Sequence, residues 1–413
     1  GWANAWTPVG NSVTPFTGSL DGLGHTIHNL TINSTSNKSG LFGETSYATI
    51  QNLNLSDVSV TATSYTGALV GTAKNTTVTN VVAHNVAVTG HIYVAGLIGQ
   101  ANNVALSDSS VTGASTVSGA TSAGGLVGQM DNSTLSNGHS SANISSSWYG
   151  GGLVGAVKTS SITGSTASGN VSGTGSGNGA GGLVGATNSG VVHITSSSSS
   201  GSVAGIKYVG GLLGWAQSGS DVILSDSFAT GAVTNTADFT GGLVGEFKGT
   251  MTDSYATGEV TGTNYVGGLV GNNLGSLMGS YVTNASSVTA SGSYIGGLTG
   301  ANGTNTDAMP SVTGAIAAGT VTATDNAKSV GGLVGVNYGT VTNSNASGLV
   351  TVGTDAFAVG GLIGANHGVI GNNATNTASV VAGTGTEALG VLLGLHSGTE
   401  NGSLSTGTLT LGG

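Results

Sequence analysis

Gly241-Gly242-Leu243-Val244-Gly245 returns as Gly267-Gly268-Leu269-Val270-Gly271, and between the two copies the apolar anchors fall at Met251 and Val260. The steps from Leu243 to Leu269 are 8, 9 and 9 residues, so one repeat has three sides. The same division runs through Leu153, Ile162 and Val171, and again through Leu333, Val341 and Val350. The variable length falls before the next Gly-Gly, which places insertions at one corner. Within a side, Thr340-Val341-Thr342 and Gly258-Glu259-Val260-Thr261 alternate small polar with β-branched residues, the pattern of short strands bounded by Gly and Asn turns.

The block occurs thirteen times, with its Leu at Leu41, Leu69, Leu97, Leu126, Leu153, Leu183, Leu212, Leu243, Leu269, Leu298, Leu333, Leu362 and Leu392, a mean period of about 29 residues. Three short strands per coil, stacked in register, predict an all-β, right-handed parallel β-helix of about thirteen three-sided coils. At a strand spacing of about 4.8 Å this would be a rod roughly 60 Å long. Leu, Val and Ile at equivalent positions should stack along its interior. A propeller or a sandwich also uses many short strands, but a 29-residue unit is too short for a four-stranded blade. Residues 1–36 read as an opening, capping segment and residues 37–413 as one continuous solenoid. Residues 402–413 carry no charged or helical cap, which leads to the expectation that the native polypeptide continues or that ends meet other copies.

Composition agrees with this reading. Of 413 residues 77 are Gly, a poor helix former, so helix should be nearly absent. Charged residues are 5% and hydrophobic residues 38%, which excludes the highly charged composition of disordered chains. Gly is expected at coil corners, where φ > 0 or close backbone approach is needed.

Sixteen acids against six Lys, with no Arg, give a net charge of −10 and exclude nucleic acid and anionic membrane surfaces as partners. No window of 18 apolar residues suggests membrane insertion. The absence of Cys is compatible with a secreted or surface protein.

The repeated block resembles the GLUG motif. The stretch from Trp6-Thr7-Pro8-Val9-Gly10 through Gly18-Ser19-Leu20-Asp21-Gly22-Leu23-Gly24-His25-Thr26-Ile27 to Gly40-Leu41-Phe42-Gly43 is similar to the segment that introduces GLUG arrays. Ala68 replaces the second Gly of the block and Ala95 the first, Thr299 replaces Val, and the last copy reads Gly390-Val391-Leu392-Leu393-Gly394. The resemblance implies the β-helical segment of a bacterial surface or secreted protein, of the kind found in filamentous-haemagglutinin-like adhesins. It implies no active site.

Nothing in the residues argues for chemistry. No two acids are adjacent, and the chain lacks the Arg that β-helical lyases commonly use. Asp21, His25 and His28 form the one compact set of ligand-like types, and they match no tetrahedral metal site. Asp21 reads instead as a turn residue ahead of Gly22. No enzyme activity, metal or cofactor is expected.

The candidate binding residues are aromatic. Tyr65, Tyr93, Tyr149, Tyr208, Phe239, Tyr265 and Tyr294 each lie four residues before a motif Leu and should form a ladder. Facing out, they would offer a sugar-stacking strip; facing in or leaning across a corner, they would be packing. An ice-binding face would need a Thr-x-Thr ladder in every coil, which Thr77 with Thr79 and Thr340 with Thr342 do not supply. The expected function is a stiff structural or adhesive segment of a bacterial extracellular surface or biofilm protein. The alternatives are a carbohydrate-binding module or a filament subunit. The expected partners are polysaccharide or cell-surface glycan and other copies of the chain, end to end.

Overall fold

The apolar anchors of the repeat are the inside of the molecule. In a computed structural model describing residues 6–35, 37–175, 177, 179–283, 286–305 and 309–412, every described element is a β-strand. The strands pair in parallel and stack as a β-solenoid of about thirteen turns, about 29 residues each. Two compact units are present, Gly1–Val203 with Gln217–Ser220, and Ala204–Ala216 with Asp221–Gly413. Of the opening segment read from the sequence, residues 1–5 and 36 lie outside the described residues.

In the first unit Ile50, Val78, Leu106, Leu135, Ile162 and Ile194 pair position for position through successive coils, and all are buried. Ahead of them Ser19–Asp21, Thr26–His28 and Thr31–Asn33 all pair with the long strand Thr49–Thr61. In the second unit Met251, Leu277, Val312, Val341 and Ile370 make one inner column, and Val260, Val288, Val321, Val350 and Val380 another. The motif Leu make a further side: Leu243 N–H donates to Leu269 O at 2.8 Å and Leu333 N–H to Leu362 O at 2.9 Å. Each coil therefore buries its apolar side chains against the coils above and below, the source of stability in a solenoid.

Two details differ from the sequence reading. A coil of the second unit holds five short strands, not three: Asp238–Gly241, Val244–Phe247, Gly249–Thr252, Tyr255–Ala256 and Val260–Gly262. The sides bend more often than the apolar spacing shows, because small polar residues turn the chain between anchors. Insertions also occupy more than one corner. Asn273 pairs with Asn302 while Ser276 pairs with Ser311, so the sequence between those two pairings is longer in that coil.

The roles of Gly and Asn also separate. Gly242 serves close approach: a Cβ there would run into the carbonyl oxygen of Gly268 on the next coil. The left-handed corners are held mainly by Asn and Asp, which tolerate that region better than other L-residues. Asn52, Asn80, Asp108 and Asn137 succeed one another at one such corner, with φ of 54°, 53°, 49° and 50°. Their side chains link the coils: Asn80 Nδ2 donates to Asn52 Oδ1, and Asn137 Nδ2 to Asp108 Oδ1, each at 2.9 Å.

Candidate functional site

The seven aromatic residues read from the sequence fall at one structural position, in two groups. In the first unit, register aligns Tyr93, Ser122, Tyr149 and Gly179. Among the described residues of this column, Tyr65 and Tyr93 meet as neighbouring rings, edge to face at 5.4 Å and 64°. Tyr149 instead meets Trp148 edge to face at 6.2 Å and 83°, and its hydroxyl accepts a hydrogen bond from Gln217 Nε2 at 2.9 Å. In the second unit the ladder is unbroken: Tyr208 to Phe239, Phe239 to Tyr265 and Tyr265 to Tyr294 have centroids 4.8, 4.7 and 4.7 Å apart.

The backbone explains how these rings come to lie on one another. Phe239, Tyr265 and Tyr294 have φ of 66°, 52° and 63°. Pairing passes over them: Asp238 pairs with Asn264 and Thr240 with Val266. Each ring residue is thus a one-residue kink that tips its side chain along the sheet. A left-handed turn costs about 1–2 kcal/mol for such a residue, and ring stacking offsets part of that. Tyr265 and Tyr294 also pack against the buried cluster of Ala301, Val336, Ala358 and Ala365.

Tyr208 is the most enclosed member. Trp215 covers one face at 4.3 Å with planes 1° apart, and Phe239 covers the other. The Trp215 indole N–H donates to Glu246 Oε1 at 3.0 Å, while Asn272 Nδ2 donates to Glu246 Oε2 at 3.0 Å. Burial, with the carboxylates of Glu246 and Asp238 nearby, pushes the Tyr208 hydroxyl up to about 12. Lys207 Nζ sits 5.0 Å from the Tyr208 ring centroid. Rings stacked this way use their faces on each other. The interior of the ladder therefore lacks the open aromatic faces that sugar stacking uses.

A second aromatic column was missed in the sequence. Phe228, Tyr255 and Tyr281 are in register on the outside of the second unit, followed by Ile316. Their centroids are 5.0 and 4.9 Å apart, with planes 6° and 12° apart. Its signal is the recurrence of Asp226-Ser227-Phe228-Ala229-Thr230-Gly231 as Asp253-Ser254-Tyr255-Ala256-Thr257-Gly258.

A buried amide column was missed as well. Asn273 Nδ2 donates to Asn302 Oδ1, Asn302 Nδ2 to Asn337 Oδ1 and Asn337 Nδ2 to Asn366 Oδ1, each at 2.8 Å, with all four residues fully buried.

Hydroxyl columns also exist where the sequence reading did not look. Thr77 and Thr79 stand beside Ala105 and Ser107, so no Thr-x-Thr pair persists there. Thr234, Thr261, Thr289, Thr322 and Thr351 do succeed one another without interruption. Asp21, set aside as a turn residue, accepts from Leu23 N–H at 2.9 Å and from Gln51 and Asn52. Those three donors hold its carboxyl below the usual carboxylate range.

One coil of the second unit matches a known family. Residues 326–353 match the GLUG motif. That stretch contains Leu333, Asn337, Val341 and Val350, so the GLUG motif here is one solenoid coil with its inner anchors and one amide rung. A stretch of 181 residues is 36% identical to Halomucin of Haloquadratum walsbyi (strain DSM 16790 / HBSQ001), covering 40% of this chain. The chain spans 2% of the length of that relative. No solved structure matches it.

Proposed function

We propose that this chain is a structural and adhesive segment of an extracellular surface or biofilm protein, in which GLUG coils display side-chain columns for attachment. The observation that carries this reading is the GLUG coil itself. It fixes a parallel ladder in which every outward position recurs once per coil, so one weak contact is repeated many times along a face. Repetition of that kind raises avidity without requiring a deep pocket. Similarity to Halomucin supports an extracellular setting for such repeats, and a role in attachment rather than catalysis suits the scattered acids. Filamentous-haemagglutinin-like adhesins are the class of protein this reading favours.

The test has two arms. Antibody raised to the purified chain should label intact source cells or their matrix; labelling only after permeabilisation would sink the extracellular reading. Beads coated with the chain should adhere saturably to at least one extracellular polysaccharide in a broad panel. Adhesion no greater than that of uncoated beads on every surface would remove the adhesive half.

A further inference from the structure

The first ring of the aromatic ladder differs from the rest. Tyr65 meets Tyr93 edge to face and is not sandwiched as Tyr208 is. Its ring forms a wall of a pocket of about 390 Å³, within the range of small-ligand sites. Pro8 adds apolar surface, and Asn11, Ser12, Asn37 and Lys38 bring polar groups to the same space.

The charge in this pocket runs against that of the chain. Lys38, the charged residue of the lining, shares the buried Glu44 carboxylate with Lys74, whose Nζ lies 2.7 Å from it. One carboxylate against two ammoniums leaves one positive charge uncompensated, in a protein whose net charge is −10. Lys38 Nζ also donates to Ser12 Oγ at 3.0 Å. Two of its three N–H donors are thereby used, and the third remains for a ligand. Asn11 Oδ1 is occupied by the backbone N–H groups of Val13 and Thr14, and Asn37 Oδ1 accepts from the Thr63 hydroxyl. Both amides therefore keep their Nδ2 donors for an oxygen-rich guest.

We infer that this pocket binds an acidic sugar residue, a hexuronate, with its pyranose ring against Tyr65 and its carboxylate on Lys38. An aromatic wall suits the apolar face of a pyranose, the side-chain amides suit its hydroxyls, and a charge-assisted hydrogen bond selects the carboxylate. The inference rests on the first unit alone, and it holds or fails separately from the adhesive reading.

The experiment titrates the full 413-residue chain with trigalacturonate, with a neutral galactose trimer and with acetate, by calorimetry and by chemical-shift mapping. Saturable binding of the uronate is expected, with shifts at Ser12, Lys38 and Tyr65, and weaker binding of the other two probes. Lys38→Met and Tyr65→Ala should each weaken it at least tenfold, about 1.4 kcal/mol, while Tyr65→Phe stays within twofold. Equal affinity for the neutral trimer would overturn carboxylate recognition, and equal affinity for acetate would overturn the sugar contact. Absent binding, or binding unchanged in both Lys38→Met and Tyr65→Ala, overturns the site. Should either variant fail to fold, the wild-type shift map decides: uronate that moves none of those three residues is bound elsewhere or not at all.

Discussion

The indole of Trp215 lies flat on the phenol ring of Tyr208, centroids 4.3 Å apart and planes parallel to within 1°. With Phe239 on the opposite face at 4.8 Å, Tyr208 is the middle of a three-ring sandwich spanning adjacent coils. Aromatic pairs contribute about 0.5–1.5 kcal/mol beyond the area they bury, and Tyr208 takes part in two. Replacing it by Ala should lower the stability of the second unit by about 3–5 kcal/mol. Tyr281→Ala, on the exposed column, should cost about 1 kcal/mol or less. Urea unfolding followed by tryptophan fluorescence separates the two. Similar losses in both variants would mean that the sandwich adds nothing over surface packing.

The fold was legible because its signal is linear. Leu243, Met251 and Val260 recur at fixed steps, and inward residues of a solenoid must do so. The aromatic position four residues before each motif Leu was also legible, since Tyr265 and Leu269 sit on the same tight segment. What the rings face was not, because φ of 52° at Tyr265 breaks the alternation on which any inside-outside argument depends. Tyr255 and Tyr281 escaped notice for another reason. Insertions between Val282 and Leu298 shift Tyr281 relative to the next motif Leu, so counting from Leu misaligns residues that backbone pairing aligns. The Asn column was readable in Gly335-Val336-Asn337-Tyr338-Gly339 and Gly364-Ala365-Asn366-His367-Gly368, but a buried amide gives no hydrophobic signal.

Asn337 is an inner rung of the column, donating to Asn366 and accepting from Asn302, as Asn302 in turn accepts from Asn273. Asn337→Ala removes one partner from each neighbour inside a fully buried column. An orphaned buried polar group costs about 1–3 kcal/mol, so a loss of about 2–4 kcal/mol is expected. Amide hydrogen exchange should show the effect concentrated in coils containing Asn302 and Asn366. Uniform acceleration across the second unit would contradict a local column.

Thr240 presents the opposite case. Its side chain is fully buried between Val209 and Val266 of adjacent coils, and its Oγ1 has no hydrogen-bond partner. Valine keeps the shape and removes the unsatisfied hydroxyl. Thr240→Val should raise stability by about 1 kcal/mol or more, visible as a higher urea midpoint. A lower midpoint would show that the hydroxyl is engaged in solution.

Acid should loosen the first unit through Glu44. Burial alone would push its carboxyl up, but hydrogen bonds and charge from Lys38 and Lys74 outweigh it and hold the group below the usual range. A carboxyl depressed in the folded state contributes stability that is fully present above its unfolded value, about 4.3. That contribution disappears as pH falls through the lower folded value. Glu44→Gln removes the triad at every pH and should cost about 1–2 kcal/mol at pH 7, less than a fully enclosed pair because both Lys reach solvent. The gap between wild type and Glu44→Gln should then narrow as pH drops from 5 towards 2. Melting curves of both proteins at half-unit steps measure it, and a gap that stays constant over that range would mean that the Glu44 carboxyl is not held ionised by its two lysines.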